Sequence, residues 1–167
     1  MKKSKVLGSF VLLTLILGIF GCVSGPPVIE DIVLKPKDAA IHSNRDFPEL
    51  TVESENGNFG YWHSIEDWVS WTVEIPESYE YKFMMKYAAW GKDAGSSIVF
   101  EIGDQVLPSV LAQTSPDDDG YLEFSTREMG VLFIEAGTYE LSLKVTELVD
   151  YAAGNILKLT LVPNYPE

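Results

Sequence analysis

Alternation is the feature that most constrains this chain. From Thr138 to Thr146, Tyr139, Leu141, Leu143 and Val145 alternate with Glu140, Ser142, Lys144 and Thr146. Successive side chains of a strand point to opposite faces, so this stretch has one apolar and one polar side. A helix would scatter the same residues around its circumference. The pattern recurs three times. Val69, Trp71, Val73 and Ile75 alternate with Ser70, Thr72 and Glu74, and Tyr81, Phe83, Met85 and Tyr87 with Lys82, Met84 and Lys86. Near the C-terminus Leu157, Leu159 and Leu161 oppose Lys158, Thr160 and Val162. Shorter candidate strands run from Ile29 to Leu34, Leu50 to Glu53, Ile98 to Ile102, Tyr121 to Thr126 and Gly130 to Ile134.

Turn residues separate these segments at Pro76-Glu77-Ser78, Gly91 to Gly95, Gly103-Asp104, Ser115 to Gly120 and Glu135-Ala136-Gly137. No helical period and no internal repeat is visible after Val28. Short strands with regular turns predict an antiparallel sandwich or barrel. Trp68 and Trp71 differ by an odd number and so face opposite ways; Trp71 shares the core phase of Val69 and Val73. Asp67, at the entry to that strand, is expected to hold a loop by accepting backbone N–H bonds.

The N-terminus reads differently. Lys2, Lys3 and Lys5 precede an apolar run from Val6 to Phe20, which is shorter than the roughly 20 residues of a membrane-spanning helix. It ends at Gly21-Cys22, which resembles a bacterial lipobox and holds the only Cys of the chain. The expected organisation is a lipoprotein signal peptide over 1–21, a lipidated Cys22 with a tether and a first strand over 22–37, and a β-sandwich over 38–167. Acyl chains on Cys22 would tie an exported protein to the cell membrane or the outer membrane. Val23, rather than Asp, after the Cys favours the outer membrane.

Charge excludes some partners. The 167 residues carry a net charge of −13, and loss of Lys2, Lys3 and Lys5 with the leader would make it −16. Such a surface repels nucleic acid. Nothing recommends catalysis either. His42 and His63 are the two His, and with one Cys they make no His/Cys zinc site. There is no Gly-x-Ser-x-Gly elbow, phosphate loop or dinucleotide fingerprint. Asp117-Asp118-Asp119 is read as a solvated turn, or else as a weak calcium site.

The run Tyr61-Trp62-His63-Ser64-Ile65-Glu66-Asp67-Trp68-Val69-Ser70-Trp71 carries a recognisable pattern, together with Glu135-Ala136-Gly137-Thr138-Tyr139 and Gly154-Asn155-Ile156-Leu157-Lys158-Leu159. It resembles the jelly-roll, galactose-binding-like β-sandwich modules at the C-termini of bacterial α-L-fucosidases. More distantly it is similar to carbohydrate-binding module families six and thirty-five. The resemblance spans Asp38 to Pro163. It implies an all-β, non-catalytic module whose loop aromatics and an Asn near the last strand form one sugar cleft. On that basis Trp90 and Tyr61 would supply stacking faces and Asn155 an amide. Each has a plainer alternative: Trp90 folded over the sandwich edge, Tyr61 in the core, Asn155 shaping a turn. The acidic opening that helps hold a structural calcium in such relatives is missing near Ala39, so no cofactor or metal is expected. Two functions stay in view. One is a membrane-anchored binder of neutral polysaccharide. The other is a structural lipoprotein with an envelope protein partner and no sugar site.

Overall fold

The computed structural model describes residues 28–53, 55, 57–114 and 121–166. The leader 1–21, Cys22 with its tether and the Asp117-Asp118-Asp119 run lie outside the described residues. The alternating segments form antiparallel strands in two layers. One layer contains β1 (Ile32–Leu34), β3 (Thr51–Val52), β4 (Phe59–Gly60), β6 (Tyr79–Ala88), β9 (Ser125–Ile134) and β11 (Asn155–Pro163). Its order is β3-β4-β11-β6-β9, with β1 against the C-terminal half of β11. The other layer contains β2 (Ala40–Ser43), β5 (Asp67–Ile75), β7 (Ser97–Ile102), β8 (Gln105–Val110) and β10 (Gly137–Glu147). Its order is β2-β5-β10-β7-β8. From β5 onward the chain changes layer at every connection except the β7–β8 hairpin. This is a jelly-roll sandwich.

Period-two burial seals the layers together. Val69, Trp71, Val73 and Ile75 of β5 and Leu141, Leu143 and Val145 of β10 face Tyr81, Phe83, Met85 and Tyr87 of β6 across the core, all buried. Phe83 and Phe100 meet with ring centroids 5.2 Å apart. Each such side chain contributes roughly 1.5–3 kcal/mol by leaving water. Two buried aromatic rings keep their polar ends paired: the Trp71 indole N–H donates to the Lys35 carbonyl at 2.9 Å, and the Tyr87 hydroxyl donates to the Ala112 carbonyl at 3.0 Å.

Four details depart from the alternation. The register of β11 against β6 shifts between Ile156 and Lys158, so Ile156 turns inward and Leu157 outward. Leu157 therefore does not share the face of Leu159 and Leu161: a β-bulge resets the phase. The segments Tyr121–Thr126 and Gly130–Ile134 are not two strands. Tyr121 belongs to a loop, and a register shift opposite Phe83/Met84 lets β9 run unbroken from Ser125. Strand β8 escapes the sequence pattern because Pro108 sits in it, which an edge strand tolerates. Finally, β1 pairs with β11, so the sandwich takes in residues ahead of Asp38.

The two ends of the sandwich differ. The connections β5–β6, β7–β8 and β9–β10 are tight turns at one end. The first and last described segments meet there too, where the Ile29 N–H donates to the Tyr165 hydroxyl at 2.6 Å. The opposite end carries the long loops β4–β5, β6–β7, β8–β9 and β10–β11. Long loops on a rigid scaffold are where recognition residues gather.

Candidate functional site

The β4–β5 loop is set by one buried ring. Trp62 is fully buried, and its indole N–H donates to the Asp67 carbonyl at 3.1 Å. Its ring meets Phe59 edge-on at 6.2 Å. Anchoring Trp62 inward leaves its neighbours Tyr61 and His63 on the outside. Tyr61 is 58% exposed and has φ of 57°, a left-handed conformation that costs a non-glycine residue about 1–2 kcal/mol. Such strain is kept where the side chain must be presented.

The β10–β11 loop forms the facing wall. The Ala153 N–H donates to the Trp62 carbonyl at 3.0 Å, which fastens the two loops together. The rings of His63 and Tyr151 then lie 4.2 Å apart. Gly154 makes this closeness feasible: its φ is +88°, and a Cβ there would come within 2.5 Å of the Ala88 carbonyl oxygen.

Asp93, from the β6–β7 loop, braces the third wall. Its buried carboxylate accepts the backbone N–H groups of Tyr151 and Ala152, both at 3.1 Å, through Oδ1. Its Oδ2 accepts the hydroxyl of Tyr121. Burial, and then the bond to Asp93, push the Tyr121 phenol well above its ordinary pKa, so it stays a neutral donor. The Asn155 amide donates to the Tyr121 carbonyl at 3.1 Å, and among the described residues its Oδ1 has no hydrogen-bond donor, so it can accept a hydroxyl.

Between these walls lies an open cleft of about 320 Å³, lined by Glu53, Tyr61, His63, Tyr121, Tyr151 and Asn155 among others. Three phenol rings supply apolar faces with polar tips, and Glu53 and Asn155 supply acceptors. A pyranose has the complementary character: C–H faces and a rim of hydroxyls.

Of the residues singled out in the sequence, Tyr61 and Asn155 share this cleft. Tyr61 is not in the core. Trp90 stands behind it: its ring contacts Tyr121 edge-on at 6.1 Å, and the Lys92 ammonium lies 4.2 Å from its centroid. Glu53, His63, Tyr121 and Tyr151 were not singled out. Tyr151 and Tyr121 sit in loops without period, and their shared partner Asp93 brings them together.

Asp67 does hold a loop. It accepts the Ser43 hydroxyl at 2.6 Å, the Glu49 N–H at 2.9 Å, the Leu50 N–H at 3.2 Å and the Arg45 guanidinium at 3.3 Å. Glu49 in that loop reaches His63 Nδ1 at 3.5 Å. Trp68 lies on the outer face, stacked on His42 with centroids 5.1 Å apart. Among the described residues no group of three or more His, Cys, Asp or Glu side chains is placed to hold a metal.

No protein-family model and no curated protein matches the chain. Solved structures do. A family 35 carbohydrate-binding module from Clostridium thermocellum aligns with a TM-score of 0.64 at 13% identity, over 81% of this chain and 100% of that one. The C-terminal CBM6 of LamC from Zobellia galactanivorans aligns at 0.62 and 21% identity, over 80% and 99%. A carbohydrate-binding module of Cellvibrio mixtus lichenase 5A, solved with cellotriose, aligns at 0.56 and 22%, over 81% and 98%. At these identities the likeness is one of fold.

Proposed function

We propose that this protein is a non-catalytic carbohydrate-binding module that takes neutral glycan in the cleft at its loop end. One observation carries the reading. Tyr61 is held in a left-handed conformation on a rim it shares with Tyr151, Tyr121 and the acceptors Glu53 and Asn155. That arrangement leaves the Tyr61 ring 58% exposed beside polar acceptors and matches the surface of a sugar ring. The similar solved structures, which are carbohydrate-binding modules, support the same reading. The neutral preference follows from charge: Glu53 lines the cleft and Glu49 stands behind His63, so a uronate carboxylate would be repelled. Trp90 extends the aromatic surface by backing Tyr121. We further propose that the protein is exported and tied to a membrane by acylated Cys22.

Affinity electrophoresis against a panel of neutral polysaccharides tests the cleft. At least one should retard the protein. Tyr61→Ala should weaken that retention about 3- to 10-fold, the range of one aromatic stacking contact. Trp90→Ala should weaken it less. Unaltered mobility with every neutral polysaccharide, or equal retention of wild type and a Tyr61→Ala/Tyr151→Ala variant, would refute the proposal.

A further inference from the structure

Among the described residues the acidic chain carries one concentrated patch of the opposite sign. Lys35, Lys37, Lys86 and Lys158, four of its 12 lysine and arginine residues, line a single groove of about 440 Å³. It lies on the outer face of the layer that holds β6 and β11. Of the other described cations, Arg45 lies on Glu49 and Asp67, Lys144 on Glu101 and Lys92 over Trp90, Arg127 donates to the Gln113 carbonyl at 2.9 Å, and Lys82 lies outside the groove. Within the groove only Lys37 has a carboxylate in reach among the described residues, Asp38 at 3.9 Å.

The placement works against the protein's own stability. Lys86 and Lys158 are directly opposed partners on antiparallel strands. Like charges in that register repel. The β11 bulge also turns Leu157 outward into the groove, where it gives the ammonium groups an apolar neighbour. Gly57, with no side chain, leaves the wall above it open.

We infer that this groove is a second binding site, which takes an anionic substituent, a carboxylate or sulfate ester, of a glycan. An anion between Lys86 and Lys158 converts their repulsion into two attractive contacts, and lysine ammoniums serve as point charges for it. The choice of a glycan as the carrier rests on the reading of the cleft; the choice of an anion does not. The two sites adjoin. The β3–β4 hairpin gives Glu53 to the cleft and Gly57 to the groove, and β11 gives Asn155 to one and Leu157 to the other. A mainly neutral chain with sparse acidic groups could lie across both. A densely charged polymer would be opposed by the net charge of −13 everywhere except at the groove.

The test uses sparsely sulfated dextran and largely methyl-esterified polygalacturonate as probes, uncharged dextran as the control and phosphatidylglycerol vesicles as the competing source of anions. Both acidic probes should retard the wild-type protein in low salt, and 0.5 M sodium chloride should abolish the effect by screening. Lys86→Gln/Lys158→Gln should cut affinity roughly tenfold, the sum of two exposed charge contacts. Sulfated dextran should raise the melting temperature of the wild type and not of the double variant. Equal affinity of wild type and double variant, or binding to vesicles and to neither acidic polysaccharide, would overturn the inference. Loss of groove binding with retention on a neutral glycan leaves the cleft standing. Groove binding in a protein that no neutral glycan retards refutes the cleft alone.

Discussion

Asp67 is buried and still charged because its environment replaces water. Burial by itself would raise its carboxyl. The Ser43 hydroxyl, the Leu50 and Glu49 N–H groups and the Arg45 charge outweigh that and hold it below the ordinary aspartate value. A depressed folded-state pKa gives stability that is present above the unfolded value, near 3.9, and lost as pH falls through the folded one. Denaturant unfolding should therefore show a plateau near neutrality and a decline below about pH 4. Asp67→Asn should cost about 2–4 kcal/mol at pH 7, because it leaves the loop donors and Arg45 poorly paired. The gap to wild type should narrow at pH 3; a gap of constant size would mean that the carboxylate charge is irrelevant. Tyr61 predicts the opposite trade. Tyr61→Gly removes left-handed strain, so stability should rise by up to about 1 kcal/mol while glycan retention falls. Paired thermal melts and affinity gels check both.

Among the elements, the strands were legible and the loops were not. β5, β6 and β10 announce themselves because each largely alternates apolar and polar side chains, even though the outward Ser70 and Ser142 are themselves covered. β9 and β11 misled where one extra residue reset the phase, since a bulge leaves no periodic trace. The cleft was half legible. Tyr61 stood out through its aromatic surroundings and Asn155 through the resemblance, whereas Tyr121 and Tyr151 owe their places to Asp93, a partner remote in sequence from both. The β10–β11 loop depends on Gly154, whose missing Cβ admits the Ala88 backbone. Gly154→Ala should lower stability by more than about 2 kcal/mol, since steric conflict adds to left-handed strain. It should also abolish cleft binding. Wild-type affinity in a folded Gly154→Ala protein would show that the loop tolerates displacement.

For the whole molecule, the two ends of the sandwich divide the labour. One gathers the first and last described segments and the short turns; the other gathers the long loops and the cleft. A Cys22→Ser change should stop incorporation of labelled palmitate and release the protein to the soluble fraction, with an unchanged melting curve and unchanged glycan retention. Persistent membrane association of that variant would point to another attachment.

The meeting of Ile29 with Tyr165 fixes what such an attachment would mean. Between Cys22 and Val28 the backbone can extend no more than about 20 Å. The domain would thus ride close to the lipid, standing on its termini. Strands of nine to eleven residues then lift the aromatic rim some 30 Å higher and aim it outward. On the proposed reading, polymers too bulky to approach the bilayer could still be caught at that height.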